Sequence, residues 1–234
     1  MFPWISVPHW GASVLKVGLT GGIAAGKSVV GEMFVALGAR LVQADRIAHE
    51  LMRPGEAVYN EVVRHFGGGI LNRDGSISRE KLAEVAFGSS STPENTRVSR
   101  IDELNRIVHP VVIRSQDEWM HAVGLQDPQA VAIVEAALIL EAGVAARFDR
   151  LIVVTCSEEQ RVTRFAARQK VDLEVARREV TRRMAAQLSD EEKIEAADYV
   201  IDNSGALSRT HEQVSRVWRE LQAEAARSPM LSKD

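Results

Sequence analysis

Eight residues constrain this chain more than any other stretch: Gly21-Gly22-Ile23-Ala24-Ala25-Gly26-Lys27-Ser28. They stand between an apolar run, Val14 to Leu19, and a segment with apolar residues at helical spacing, Lys27 to Leu37. Glycine, four residues, glycine, lysine and serine at a strand-to-helix junction form the phosphate-binding loop pattern. Glycines let backbone N–H groups turn inward around phosphate oxygens, and the following helix points its positive end at them. A plain glycine-rich turn would not need Lys-Ser behind it. In this frame Gly22, Ala24, Ala25, Gly26 and Val29 line the ATP phosphates and Lys27 reaches the β- and γ-phosphates. The Ser28 hydroxyl is then a ligand for Mg2+, which favours oxygen donors and bridges protein to substrate phosphates. The motif alone does not choose a reaction.

Further short apolar runs without alternation, Arg40 to Val42, Ala130 to Val134, Leu151 to Thr155 and Tyr199 to Ile201, read as strands buried on both faces. With helical patterns between them and Gly38 as a helix stop, they predict an open parallel α/β sheet with ligands beyond the carboxyl ends of its strands. Between Asp45 and Leu125 the pattern turns helical, punctuated at Arg53-Pro54-Gly55, Gly67-Gly68-Gly69, Asn72-Arg73-Asp74-Gly75 and Ser89-Ser90-Ser91-Thr92-Pro93. From Glu158 to Ala197 the chain is charged and helical, with Arg161, Arg164, Arg168, Arg177, Arg178, Arg182 and Arg183 crowded among glutamates, as in a mobile lid. His211 to Arg227 reads as an amphipathic helix.

A net charge of -3, from 29 basic and 32 acidic residues, gives no global field for nucleic acid or an anionic membrane, so any anion is caught locally. The single cysteine, Cys156, excludes an internal disulfide and multi-cysteine metal sites and suits a reducing compartment. No stretch approaches the roughly 18 to 20 apolar residues of a membrane helix. The first residues lack the basic and apolar regions of a secretory signal. A cytoplasmic protein is expected.

The loop lies inside GLTGGIAAGKSVVGEMFVALGARLVQADRIAHEL, which resembles the N-terminal signature of dephospho-CoA kinases. LNRDGSISREKLAEVAF and Ile107-Val108-His109-Pro110 are similar to the CoA-side helical segments of that family, and AALILEAG to its apolar strand-end segment. Arg183-Met184-Ala185-Ala186-Gln187, Lys193 and AADYVIDNSG are similar to its lid and to the strand before its adenine-side loop. The resemblance runs from about Val14 to His211. It implies a three-layer P-loop kinase fold: a five-stranded parallel sheet, a helical CoA-binding insertion and a helical lid. The corresponding division is a nucleotide-binding core at 14–44, 123–160 and 195–225, an acceptor domain at 45–122, a lid at 161–194 and flexible ends at 1–13 and 226–234. The activity implied is transfer of the ATP γ-phosphate to the ribose 3′-hydroxyl of dephospho-CoA, the last step of coenzyme A biosynthesis, by a monomer or weak homo-oligomer. Three positions depart from the family pattern. Gln43-Ala44-Asp45 keeps only the second of two usual aspartates, Val29 replaces a threonine, and Ala137 replaces a proline.

The resemblance gives Asp45 an acceptor-orienting, base-like role; the competing reading is an N-cap for a helix beginning near Arg46. Arg168, on one helix face with Gln160 and Arg164, and Arg183, from the Arg-x-x-x-Gln match, are the first choices for stabilising the transferred phosphoryl group. Each is equally readable as a solvated surface charge. Glu135, after the third strand, is expected to hold a magnesium-bound water, with Glu141 as second candidate. Leu138, Glu141 and His109 are placed on the acceptor side, His109 as a histidine at a helix start. Asn203 suits an adenine edge, although Asp202-Asn203-Ser204-Gly205 also makes an ordinary turn. A nucleoside monophosphate or other small-metabolite kinase would share the loop, lid and sheet. A GTP switch needs an Asn-Lys-x-Asp element that the chain lacks.

Overall fold

The five apolar runs form one sheet. The computed structural model describes residues 14–87 and 100–227, so residues 1–13 and 228–234 of the expected flexible ends, and the turn expected at Ser89 to Pro93, lie outside the described residues. In chain order the elements are β1 (Leu15–Gly21), α1 (Lys27–Ala36), β2 (Arg40–Gln43), α2 (Ala44–Leu51), α3 (Ala57–Phe66), α4 (Arg79–Phe87), α5 (Ile101–Gln126), β3 (Val131–Glu135), β4 (Arg150–Thr155), α6 (Glu158–Gln169), α7 (Leu173–Ala185), α8 (Asp190–Glu195), β5 (Tyr199–Asp202) and α9 (Leu207–Ala225). The sheet order is β2-β3-β1-β4-β5. β1 pairs in parallel with β3, Leu15 opposite Val131, and with β4, Val17 opposite Arg150. β4 pairs in parallel with β5, Ile152 opposite Tyr199.

The chain divides into two compact units, Met1–Val42 with Trp119–Asp234 and Gln43–Glu118. In the sheet unit, successive strand residues point to opposite faces and both faces are covered. Leu15, Val17, Leu19, Ile133, Ile152 and Val154 pack with Val30 and Phe34 of α1 and with Val214, Trp218 and Leu221 of α9. On the other face, Ala132 and Val134 pack with Met120 and Val123, while Leu151 and Val153 pack with Ile139. Burial on both sides is why these strands read as continuous apolar runs. α1 stops where Gly38 takes φ +113, the left-handed conformation that a glycine supplies at least cost.

The helical unit has its own core of Val58, Val62, Phe66, Ile70, Leu82, Val108 and Val112. The expected turn at Asn72 to Gly75 closes through Gly75 N to Asn72 O at 3.1 Å and Asn72 N to Ser76 O at 2.8 Å. It joins Leu71 and Ile77 in a short antiparallel bridge. One boundary differs from expectation: His109 does not start a helix, because α5 runs unbroken from Ile101 through Pro110 to Gln126. Proline removes one backbone hydrogen bond there. The apolar stripe continues on both sides of it, with Val108 and Val112 buried in the same cluster, so packing outweighs that loss.

Phe34 is fully buried beside Trp218, ring centroids 6.5 Å apart. Phe34→Ala is expected to destabilise the protein by about 3–5 kcal/mol, measured as a lowered urea midpoint with Trp fluorescence as the probe.

Candidate active site

The phosphate loop is shaped by what its carbonyls bond to. Gly26, the residue before α1, has φ +97, and Ala24 has φ +52. Lys27 Nζ donates to Gly21 O at 2.9 Å and Gly22 O at 3.1 Å. The Ala25 carbonyl accepts from Asn203 Nδ2 at 2.9 Å and from Arg164 Nη1 at 3.2 Å. A trans peptide sets its N–H opposite its C=O, so drawing the Ala25 oxygen into the protein turns the Gly26 N–H the other way. α1 has no acidic residue in its first turn to compensate its positive end. The result is a cradle of amide donors for an anion. Gly26 has a second reason to be glycine, since a Cβ there would lie 2.2 Å from Asn203 Nδ2.

At the strand ends the side chains gather as the α/β rule predicts. Ser28 Oγ donates to Glu135 Oε1 at 2.7 Å, and Glu135, the last residue of β3, is 8% exposed. Two hard oxygen donors at one point fit Mg2+. Among the described residues no group of three His, Cys, Asp or Glu side chains could cage a metal. Val29 presents an exposed apolar side chain in the first turn of α1. The Cys156 thiol faces Ala24 O at 3.9 Å, and burial pushes its pKa up, so it stays protonated.

Other expected residues are placed as follows. Asn203, expected at an adenine edge, is 3% exposed and has its amide committed inside the protein: Nδ2 holds Ala25 O, and Oδ1 accepts from Thr210 Oγ1 at 3.0 Å. Glu141, the second magnesium candidate, is paired with Lys193 Nζ at 3.0 Å and accepts from Leu188 N at 3.3 Å. Leu138 is 40% exposed in the segment after β3. Asp45 is the second residue of α2, whose N-cap is Gln43, so it is not the N-cap itself; it is exposed in the first turn, where a carboxylate complements the helix dipole. His109 is partly buried in α5, and burial lowers its pKa.

α6 and α7 pack through Val162, Phe165, Ala166, Ala176 and Val180, and Ile23 of the phosphate loop joins that cluster. Arg168 is exposed in the last turn of α6. Arg183 donates to Glu179 Oε1 at 2.6 Å and lies over the Phe165 ring at 5.6 Å. Hydrogen bonds from Arg182 first, and then Arg183, hold the Glu179 carboxyl down at about 2.

The sequence alone did not mark Arg161 and Lys193 as buried, yet each is 1% exposed. For Arg161 a signal exists: with Val162, Phe165 and Ala166 it falls on the inward face of α6. Arg164 likewise points inward, bonding Ala25 O and Asn203 O.

A strand, an amide-lined loop, a helix opening on Lys-Ser and a carboxylate at the neighbouring strand end define a P-loop nucleotide-binding α/β protein. The family model described as dephospho-CoA kinase matches residues 15–209. Proteins named dephospho-CoA kinase from Leifsonia xyli subsp. xyli and Aquifex aeolicus are each 36% identical to it, over 88% of this chain and 98% and 97% of theirs. The crystal structure of TT1252 from Thermus thermophilus is similar at a TM-score of 0.71 and 30% identity, covering 89% of this chain and 98% of that one. A dephospho-CoA kinase structure from Campylobacter jejuni, at 23% identity and a TM-score of 0.62 with the same coverage, shares the fold. The chain belongs to the dephospho-CoA kinase family.

Two outcomes are expected from this geometry. Asn203→Leu leaves the Ala25 carbonyl short of one donor and should cost about 1–3 kcal/mol in denaturant unfolding, with weaker ATP binding by calorimetry. Burial makes His109 bind its proton less readily folded than unfolded. Its contribution to stability is therefore complete above the ordinary histidine value of about 6.5 and declines as pH falls toward the lowered folded value. The urea midpoint should drop between pH 7.5 and 5.5, and drop less in His109→Gln.

Proposed function

We propose that this chain transfers the γ-phosphate of ATP to the ribose 3′-hydroxyl of dephospho-CoA, giving CoA and ADP. The reading is carried by one observation: the Ser28–Glu135 contact beside a phosphate loop, in a chain that matches the family over residues 15–209. Family membership disfavours the alternative of a monophosphate or other small-metabolite kinase. Among the described residues no helix is long and apolar enough to cross a membrane.

In this reading the loop amides and Lys27 bind the ATP phosphates, and Lys27 exchanges the Gly21 and Gly22 carbonyls for phosphate oxygens. Ser28, and Glu135 by way of a water, would hold Mg2+, which would supply positive charge to offset that of the β- and γ-phosphates. Asn203 and Arg164 serve ATP by fixing the loop. Asp45, two residues beyond the end of β2, accepts a hydrogen bond from the 3′-hydroxyl and takes its proton as the bond from that oxygen to the γ-phosphorus forms and the bond from the γ-phosphorus to the β,γ-bridging oxygen breaks, that oxygen leaving with ADP. Residues 45–122 form the acceptor domain, with Leu138, Glu141 and His109 on the acceptor side. Residues 161–194 form the lid, whose Arg168 and Arg183 bring fixed positive charge to the transferred phosphoryl group. Closure over the phosphates excludes water, the competing acceptor.

Incubation with ATP and dephospho-CoA should release ADP only when the acceptor is present; activity on AMP or shikimate but not on dephospho-CoA would sink the assignment. Lys27→Ala is expected to weaken ATP binding and turnover together. Asp45→Ala should leave the ATP dissociation constant unchanged and lower kcat by about 10²–10⁴-fold, and normal turnover in that variant would remove Asp45 from its role.

A further inference from the structure

Arg161 is the largest fully buried side chain among the described residues, and no step above uses it. Its Nε donates to Cys156 O at 3.2 Å and its Nη2 to the Asp190 carboxylate. The third nitrogen, Nη1, is buried and has no hydrogen-bond partner among the described residues. It is aimed at the phosphate loop: a Cβ on Gly22 would lie 1.9 Å from Nη1 and 3.1 Å from Cζ. Gly22 is not among the residues with positive φ. At position 22 it is the guanidinium, not the backbone angle, that a Cβ would meet.

A buried ion pair adds little stability compared with well-packed apolar residues, and an unpaired buried donor is unfavourable. An apolar side chain on this face of α6 would avoid both costs. The two partners differ in exposure, 1% for Arg161 and 28% for Asp190. Water therefore screens the carboxylate more than the guanidinium, so the pair presents its less screened, positive member to the loop. Arginine remains charged in any surroundings, and with two of its nitrogens tied down it does not reorganise when an anion arrives. We propose that Arg161 is a positioning residue for ATP: a fixed cation held against the first turn of the phosphate loop by Asp190 and Cys156, which orients the loop and strengthens its hold on the polyphosphate. The proposal rests on the reading that this loop binds the ATP phosphates.

The test compares Arg161→Met, Arg161→Lys and the double variant Arg161→Met/Asp190→Asn, which removes both charges and leaves neither buried alone. Thermal denaturation reports folding, and calorimetry with competition gives dissociation constants for ATP and for AMP, which carries one phosphate. Arg161→Met and the double variant should bind ATP about tenfold more weakly, with AMP affinity and kcat at saturating ATP close to wild type. Arg161→Lys, which keeps the charge without the fork, should recover part of the loss. The role is overturned if the folded double variant binds ATP as tightly as wild type, if ATP and AMP weaken equally, or if lysine does no better than methionine. Wild-type protein that takes up no ATP would instead overturn the phosphate-loop reading beneath the proposal.

Discussion

The carbonyl oxygen of Ala25 is where the sheet unit is organised. It accepts from the amide of Asn203, one residue past β5, and from Arg164 on α6, while Arg164 also donates to Asn203 O at 2.9 Å. Three segments distant in sequence thereby meet at one peptide group. Backbone polar groups that lose water must find partners, so a loop that turns its amides toward an anion has to place its carbonyls elsewhere. Here they are placed on Lys27, Asn203 and Arg164, and the left-handed angles at Ala24 and Gly26 are the local conformational cost. A phosphate loop of this kind is a property of the whole sheet edge, not of its eight residues.

That distinction separates what the sequence made legible from what it did not. The strands could be read because each is buried on both faces and so appears as an unbroken apolar run. The loop could be read because its glycines and Lys-Ser are fixed by local geometry. The β1-loop-α1 unit, the stop at Gly38 and α9 follow from the same local rules. Partnerships across long sequence separations were not legible. An asparagine in a Asp-Asn-Ser-Gly turn looks alike whether its amide faces a ligand or Ala25, and only the register of β5 beside β4 turns it inward, with Asn203 N on Thr155 O at 2.8 Å. Glu141 looked like any loop carboxylate until the fold set Lys193 against it. Pro110 reads locally as a boundary, and only the shared burial of Val108 and Val112 carries α5 past it.

Val29, Ala137 and Gln43, the three positions noted against the resembled pattern, each have a defined place in this framework. Val29 keeps a backbone N–H in the first turn of α1 and gives up only a hydroxyl at an exposed position. Ala137 loses the rigidity of proline, yet its carbonyl accepts from the buried Thr20 Oγ1 at 3.2 Å, which fixes the turn after β3 by another route. Gln43 becomes the N-cap of α2 but makes no side-chain capping bond, so Asp45 supplies the carboxylate near the start of that helix.

Among the described residues, the lysine and arginine that are almost wholly buried are both tied to one short helix. Lys193 belongs to α8 and pairs with Glu141; Asp190, at the start of α8, pairs with Arg161. Ser189 caps the helix through a capping box with Glu192, so its first turn is held independently of either pair. Breaking a buried pair by losing one partner costs about 3–5 kcal/mol, whereas exposed pairs are worth about 0–1 kcal/mol. On α7 the pairs are of the second kind: Arg182, 64% exposed, with Glu179, and Arg178 with Glu174 at 4.0 Å. The buried pairs therefore tie α8 to α6 and to the segment after β3 more strongly than the exposed pairs hold the arginine side chains of α7. The two groups of arginines are held differently: Arg161 and Arg164 face inward from α6, Arg161 beside Gly22 and Arg164 on the carbonyls of Ala25 and Asn203, whereas Arg178, Arg182 and Arg183 pair with glutamates on the surface of α7.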